Sequence, residues 1–252
     1  MYAAANSFVI LTSVDSTNNY AMGMIRDGFA KHGNAWFSYE QTHGKGRRGK
    51  VWKVEKGKNI ILSIAVSTGF LTVYQQFNLS IAVSLGCIDF FKKYAGDETK
   101  IKWPNDIFWN DRKAGGILIE NIIKGKVWQW AVIGVGINVN QTAFDLDTVF
   151  PPVSLKQITG KEYDVIKLAK ELHKAIMTRY EELQNNGFEK MLSEYNQYLF
   201  GLDKKIKLKK DNIVFETTVK GVLPQGKLIT VDTIEREFDF DEVMWLREAK
   251  RS

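Results

Sequence analysis

The stretch EQTHGKGRRGKVW, residues 40–52, combines three glycines with four cationic side chains, Lys45, Arg47, Arg48 and Lys50. Glycine lets a backbone approach a ligand closely, and clustered cations attract anions. An exposed turn charged for solubility would account for the cations but not for the glycines between them. A mobile lid over a phosphate or a carboxylate accounts for both, so the pattern predicts an anion-binding loop.

Two common nucleotide-binding motifs resemble this loop, but neither fits its surroundings. Gly44, Gly46 and Gly49 satisfy the spacing of the dinucleotide fingerprint, which also needs a following helix and an acidic residue about 20 positions later. The sequence KVWKVEKGKN follows instead, and residues 64–69 contain no acid. A P-loop would need Ser or Thr where Val51 stands. The loop is therefore expected to bind its anion in a different way.

A second cluster suited to chemistry lies in KWPNDIFWNDRKAGGILIE, residues 102–120. Asn105 and Asp106 follow a Trp–Pro pair that favours extended backbone, at a strand junction where polar side chains can reach a site. Lys113 stands beside small residues, so its ammonium group can extend inward and suits a phosphate or a developing negative charge. Taken alone, Lys113 is more simply interpreted as a hairpin-turn residue.

The stretch IGVGINVN, residues 133–140, is the third unusual feature. Gly134 and Gly136 interrupt a strand and permit close backbone approach, while Asn138 and Asn140 alternate with apolar residues. Two amides on one face suit recognition of a base or a sugar; the alternative is that they are polar groups at a sheet edge. The sequence has no paired His/Cys metal spacing and no G-x-S-x-G motif, so hydrolase and structural-metal functions are not indicated.

The elements that must position these clusters follow from hydrophobic periodicity. The first predicted helix has Asp15 or Ser16 as N-cap, Tyr20, Met24 and Ile25 facing inward, and Gly28 as its stop. Short strands and turns after Gly201 predict a small β-barrel. Helices are expected at residues 13–28, 73–96, 164–187 and 188–200, a helical turn within 150–160, and strands at 34–41, 59–67, 100–110, 114–123 and 127–140.

Composition indicates a globular chain with one large domain, or one large and one small. It has 252 residues, 44% of them hydrophobic, and its single cysteine, Cys87, lies in an apolar stretch as an expected buried, inert thiol. The net charge of +6 fits an anionic ligand or partner, although a lysine-rich surface explains it more simply. With no membrane-length apolar run and no signal peptide, we expect a reduced, soluble, cytoplasmic protein with no membrane partner.

Five motifs, DSTNNYA, EQTHGKGRRGKVW, KWPNDI, RKAGGILIE and GVGINVN, occur in the order and with roughly the spacing of biotin protein ligases, the biotin–acetyl-CoA-carboxylase ligases. This resemblance covers about residues 8–247. It implies an α/β (α+β) fold, with a catalytic domain similar to class II aminoacyl-tRNA synthetases over residues 1–200. That domain has a mixed sheet with flanking helices, and an SH3-like β-barrel follows over residues 201–252.

The resemblance also implies the reaction and its partners. Biotin and ATP, with Mg²⁺, would give biotinyl-5′-AMP and pyrophosphate, and biotin would then pass to a lysine of a biotin carboxyl carrier domain. A homodimer is compatible with the resemblance. Lysine at position 45 stands where many bacterial members have arginine, and without the bidentate fork its phosphate contact is expected to be looser.

Site residues carry over from the family motifs one by one. The catalytic residues would be Lys113, Arg47 and Asp106, with Asp106 orienting or deprotonating the acceptor lysine. The biotin site would comprise Ser16, Thr17, Asn18, Gln41, Gly46, Arg47, Lys113, Gly115, Gly116 and Ile117. The ATP and adenylate site would comprise Lys45, Arg47, Arg48, Trp52, Asn105, Lys113 and Asn138.

Three alternatives accompany this interpretation. A lipoate–protein ligase would share the fold and the catalytic lysine, but it lacks the GKGRRG loop. A nucleic-acid-binding protein is disfavoured because the basic residues are spread along the chain, and an inactive binding module is disfavoured because Lys113 and Arg47 are both present. Asp15 comes too early for a preceding DNA-binding domain of about 60 residues, so specific DNA binding is expected to be absent.

Overall fold

The computed structural model describes residues 7–145 and 148–247 of the chain. Seven strands form a mixed sheet in the order β1-β2-β3-β7-β6-β5-β4. Strands β1 and β2 pair in parallel, and the other neighbours pair antiparallel. The strands are β1 (Phe8–Leu11), β2 (Ala35–Ser38), β3 (Asn59–Ser67), β4 (Thr99–Lys102), β5 (Asp106–Trp109), β6 (Arg112–Lys124) and β7 (Val127–Asn138).

Helices cover both faces of this sheet. They are α1 (Thr17–Arg26), α2 (Gln76–Ala95), α3 (Leu155–Thr159), α4 (Val165–Gln184) and α5 (Phe188–Gln197). Alternation along β3 separates the two faces, because side chains point to opposite sides in turn. Ile60, Leu62 and Ile64 join the main core with α2 and α4, whereas Ala65 packs with Ala21 of α1 in a smaller second core.

The predicted helices are confirmed, although all four are shorter than the expected ranges. Helix α4 begins after Asp164, whose carboxylate accepts hydrogen bonds from two backbone N–H groups, but it ends at Gln184 rather than at the expected glycine. Helix α1 buries Thr17, Asn18 and Ala21, while Tyr20 is 37% exposed, so the predicted inward position of Tyr20 is wrong. The helix thus presents polar side chains to the interior at its first turn.

The described helices include none that is long and apolar enough to span a membrane. Cys87 is buried in α2, as expected, and burial raises the pKa of its thiol well above the ordinary value.

Five antiparallel strands form the second sheet, which confirms the strands expected after Gly201. Before it, Tyr198 and Phe200 still hydrogen-bond to Ile101 of β4. The division into domains at residues 200 and 201 stays a prediction. The strands are β8 (Lys205–Lys210), β9 (Ile213–Val222), β10 (Leu228–Val231), β11 (Glu235–Phe238) and β12 (Met244–Leu246), in the order β11-β10-β9-β8-β12.

The small sheet is packed directly against the large one. The indole N–H of Trp103 donates a hydrogen bond to the carbonyl of Gly226 at 2.8 Å. Phe240, in the turn between β11 and β12, has its ring 5.7 Å from that of Phe77 and 5.6 Å from that of Trp103. This packing brings the turn of residues 239–242 to the edge of the large sheet.

Candidate active site

A cleft of about 1150 Å³ lies between the large sheet and the β11–β12 turn. Its walls come from the start of α1, the segment 41–54, strands β5, β6 and β7, and the second sheet. The structure therefore brings the three sequence clusters together. The predicted site residues that line the cleft are Ser16, Thr17, Asn18, Gln41, Lys45, Gly46, Arg47, Arg48, Trp52, Asn105, Asp106, Lys113, Gly116, Ile117 and Asn138.

Gly115 is the predicted site residue that faces elsewhere. A Cβ atom at this position would lie 2.5 Å from Ile137 Cδ1 and 2.7 Å from the carbonyl oxygen of Gly136. At Gly116, the next residue of β6, a Cβ atom would lie 3.5 Å from Asp106 Oδ1. Because successive strand residues face opposite sides, side chains at these two positions would point to different faces of β6, and the role of Gly115 in the biotin pocket stays a prediction.

At the start of α1, neutral polar side chains of the cleft wall form a hydrogen-bond network that is bordered by the carboxylate of Glu120. The backbone N–H and the hydroxyl of Thr17 both donate to Gln41 Oε1, at 2.8 and 3.0 Å. Ser63 Oγ, from β3, lies 2.8 Å from Thr17 Oγ1 and 2.6 Å from Asn18 Oδ1. Asn18 Nδ2 donates to Glu120 of β6 at 2.7 Å. This part of the cleft therefore suits an uncharged, hydrogen-bonding group.

Gly134 and Gly136 of β7 make room for side chains of the site itself. A Cβ atom at Gly134 would lie 2.4 Å from Asn18 Oδ1, and one at Gly136 would lie 2.6 Å from Trp52 Cε2. The close approach inferred from the sequence is thus confirmed, but its partners are Asn18 and Trp52. Gly136 lets the indole of Trp52 lie flat on the strand as one wall of the cleft.

Asn138 and Asn140 use their amides to brace the backbone. Asn138 is 3% exposed, and its Nδ2 donates to the carbonyls of Val153 and Lys113 at 3.1 and 3.3 Å. Asn140 exchanges two hydrogen bonds with the backbone of Tyr163. Asn138 thereby holds the start of β6, from which Lys113 projects, and its role toward the nucleotide stays a prediction.

A tight ion pair stands at the centre of the cleft. Lys113 Nζ lies 2.6 Å from Asp106 Oδ1, and the two side chains are 33% and 19% exposed. The Lys113 backbone is fixed by hydrogen bonds with Pro151 and Val153, and its ammonium group lies 5.8 Å from the centre of the Trp52 ring. A simple hairpin-turn role for Lys113 therefore does not describe its surroundings, because its charge is directed into the cleft.

Lys102, at the end of β4, is a cleft residue that the sequence did not single out. Its ammonium group lies 5.3 to 5.7 Å from the ring centres of Phe108, Phe150 and Trp245. Burial lowers the pKa of Lys102 to about 8, and the cations of Lys113 and Lys50 act in the same direction, while the Asp106 carboxylate opposes them. The cleft thus contains a second lysine whose charge is costly and available to an anion.

Replacing Lys102 with Met is expected to raise the free energy of unfolding at pH 7 by up to about 3 kcal/mol, because one pKa unit corresponds to about 1.4 kcal/mol. A pKa lowered from 10.5 to about 8 means that the folded state binds the proton less tightly than the unfolded chain. This penalty is fully present below pH 8 and disappears as pH rises toward 10.5. Urea unfolding at pH 7 and pH 10 measures the difference.

The matched control is Lys100→Met, because Lys100 lies on the same strand with its ammonium group over Tyr198. If Lys102→Met stabilises the protein equally at both pH values, the effect does not come from the lowered pKa of Lys102. The same conclusion follows if Lys100→Met stabilises the protein equally.

The glycine-rich loop spans the mouth of the cleft. It closes through hydrogen bonds from Gly46 N to Lys50 O and from Trp52 N to Gly44 O, at 2.6 and 3.0 Å. Arg47 Nη1 donates to Asn105 Oδ1 at 3.4 Å. Lys45 Nζ lies 3.5 Å from Glu120 Oε1. The loop therefore holds its cations over the cleft floor, where an anion would meet them, and its role as a lid stays a prediction.

A model of the Biotin/lipoate A/B protein ligase family matches residues 10–138. The chain belongs to this family, and the resemblance to biotin protein ligases inferred from its motifs is confirmed. The bifunctional ligase/repressor BirA of Escherichia coli K12 is 30% identical over 88% of this chain and 68% of that protein. The biotin--[acetyl-CoA-carboxylase] ligase of Paracoccus denitrificans is 32% identical over 71% of this chain and 75% of that protein.

The fold agrees with solved structures of biotin protein ligases. The biotin protein ligase from Aquifex aeolicus, in complex with biotin and ATP, superimposes with a TM-score of 0.81 at 21% identity over 97% of this chain and 100% of that chain. At this identity the likeness concerns the fold. It confirms the predicted mixed α/β architecture with its second, antiparallel sheet.

Proposed function

We propose that this chain is an ATP-dependent biotin protein ligase, which activates biotin as biotinyl-5′-AMP and passes it to a lysine of a biotin carboxyl carrier domain. The observation that carries the proposal is the order of groups along one cleft. A neutral polar pocket around Thr17 and Gln41 leads to the Lys113–Asp106 pair, and the cationic loop lies above. Relatives and structural neighbours named as biotin ligases support the same function.

Biotin has a shape and polarity that suit this order. Its ureido ring is uncharged and needs hydrogen-bond donors and acceptors, which the network of Thr17, Gln41 and Ser63 supplies. Gly116 and Ile117 line the cleft beside its apolar side chain. The terminal carboxylate would then meet the Lys113 ammonium group. Neutral recognition at one end and a cation at the other orient the substrate for attack through its carboxylate.

Activation brings two anions together, and the cations of the cleft offset their repulsion. A carboxylate oxygen of biotin attacks the α-phosphorus of ATP, forming a C–O–P linkage as the bond to pyrophosphate breaks. Negative charge builds on the phosphate oxygens during this step. Lys113 from below and Arg47 and Arg48 from the loop place positive groups where that charge develops. Trp52 provides an aromatic wall for the adenine.

Mg²⁺ would enter this scheme bound to the nucleotide. Within residues 7–145 and 148–247 there is no group of three or more His, Cys, Asp or Glu side chains that would hold a metal ion. Mg²⁺ is commonly held by substrate phosphates and water with few protein carboxylates. We therefore assign its binding to the phosphates of ATP, where it supplies charge neutralisation.

Transfer requires an acceptor lysine that has lost its proton. The amine attacks the carbonyl carbon of the adenylate, an amide bond forms, and AMP leaves with the linking oxygen. Asp106 is 2.6 Å from Lys113 and therefore lies beside the carbonyl that Lys113 would orient. Its carboxylate can hold the incoming ammonium group and accept its proton.

Biotin is expected to support ATP–pyrophosphate exchange on the order of 100-fold or more better than lipoate, because the buried polar pocket would be left unpaired by a ring that lacks ureido groups. Radiolabelled pyrophosphate exchange with each acid measures this directly. Gln41→Leu should reduce the preference, while Glu55→Gln, outside the cleft lining, should not. Exchange that depends on lipoate and not on biotin would assign the chain to the alternative, a lipoate–protein ligase.

A further inference from the structure

Asp241, in the turn between β11 and β12, contacts both arginines of the glycine-rich loop. Its Oδ2 lies 2.9 Å from Arg47 Nη2 and 2.9 Å from Arg48 Nε. Its carbonyl oxygen also accepts a hydrogen bond from Arg48 Nη2 at 3.4 Å. One carboxylate thus pairs with two cations that the proposed function directs to phosphate.

The position of this carboxylate is built into the packing of the two sheets. Phe240 packs on Phe77 and Trp103, and the guanidinium of Arg47 lies 5.5 Å from the centre of the Phe240 ring. Asp241 itself has a φ of 73°, a left-handed conformation that few non-glycine residues adopt. The turn therefore holds the carboxylate at the loop by tertiary contacts.

Two anions cannot share these donors without cost. A phosphate that contacts Arg47 and Arg48 would lie within a few ångströms of the Asp241 carboxylate, and like charges at that separation repel. The side chain of Asp241 is 26% exposed, so water can solvate its carboxylate once the carboxylate separates from the arginines. The arrangement is that of an exchange, in which an arriving phosphate replaces a resident carboxylate.

We propose that Asp241 is the resting counter-ion of the loop: it occupies Arg47 and Arg48 before nucleotide binds, and a phosphate of ATP displaces it. This inference rests on the proposed function. Asp241 is a positioning residue here, because it acts through the arginines. Its presence keeps the loop cations over the cleft at the cost of some affinity for the nucleotide.

The test compares Asp241→Asn with Glu242→Gln. Asparagine tolerates a positive φ, so the turn is kept while the charge is removed. Glu242 is the adjacent acid, paired with Lys210 at 3.0 Å, and its neutralisation changes the net charge equally. Because ion pairs that water can reach are weak, Asp241→Asn should lower the KM for ATP about two- to tenfold in biotin-dependent exchange. The KM for biotin should stay unchanged.

Binding of inorganic pyrophosphate to the ligand-free chain, measured by titration calorimetry, tests the exchange without catalysis. Asp241→Asn should bind pyrophosphate about two- to tenfold more tightly than wild type. This difference in affinity should be smaller at high salt, and smaller when both proteins also carry Arg48→Ala. Equal or weaker binding by Asp241→Asn, or an equal gain from Glu242→Gln, overturns the inference. Tighter pyrophosphate binding without any biotin-dependent exchange in wild type would instead refute the proposed function alone.

Discussion

Replacing Lys113 with Met is expected to slow biotinyl-AMP formation on the order of 10²- to 10³-fold, the usual cost of removing one group that stabilises developing charge. Methionine keeps an unbranched side chain of similar length beside Trp52, so the packing is retained while the cation is lost. The backbone of Lys113 is held by Pro151 and Val153 and does not depend on the side chain. Single-turnover formation of the adenylate from biotin and ATP measures the effect.

The main ambiguity in this experiment is the carboxylate left behind. Asp106 pairs with Lys113 at 2.6 Å, and an unpaired carboxylate would itself repel both substrates. The double variant Lys113→Met with Asp106→Asn removes that repulsion. We expect the double variant to regain at most a small part of the rate, since the missing cation remains missing. If the Lys113→Met variant forms the adenylate at the wild-type rate and its thermal unfolding is unchanged, Lys113 has only a structural role in the turn.

Sequence reasoning found the parts of this site that break a local pattern. Glycines alternate with cations around Arg47, and amides interrupt an apolar strand at Asn138. Lys113 precedes two glycines. Each of these departs from what a plain strand or turn requires, so each is visible without knowledge of the fold. The continuous apolar run that became β3 was equally visible, because a buried strand needs no polar face.

The residues that escaped prediction gain their roles through distant contacts. Arg47 and Asp241 are 194 positions apart, and nothing local distinguishes Asp241 from other acids of the second sheet. Ser63 stands within an apolar strand, and Glu120 ends a run of apolar residues. The charge of Lys102 becomes costly only when aromatic rings from β5, the segment before α3 and β12 meet around it.

Helix α1 shows where the periodicity rule fails and why. The rule places Tyr20 inward, since large apolar residues are normally buried. At this helix the interior is the polar end of the cleft, so Thr17 and Asn18 are buried and Tyr20 is displaced toward solvent. The error is therefore informative: a helix that buries its polar first turn against a sheet indicates a site that needs those groups.

Arg47→Gly is expected to leave adenylate formation possible but to speed release of biotinyl-AMP about 10- to 100-fold, because hydrogen bonds to charged groups contribute about 1.5–3 kcal/mol. Arg47 reaches from the loop to Asn105 and to Asp241, and its side chain is 29% exposed. With the intermediate bound, where phosphate has displaced Asp241, glycine would remove both the contact with the phosphate and the anchor at Asn105. An acyl phosphate that escapes reacts with any accessible amine, so stray lysines of an added bystander protein should become biotinylated.

Arg48→Gly is the matched control, since Arg48 contacts Asp241 but is 63% exposed. Its effect on release should be several-fold smaller. Amide exchange of residues 44–50 gives a second measurement: biotin and ATP should slow it in wild type, because the glycines leave the loop backbone mobile and a bound phosphate adds contacts with its cations. Slow exchange in both states, together with undiminished retention of adenylate by Arg47→Gly, would show that the loop is no lid and that exclusion of water from the intermediate must come from the Trp52 wall or from the carrier itself.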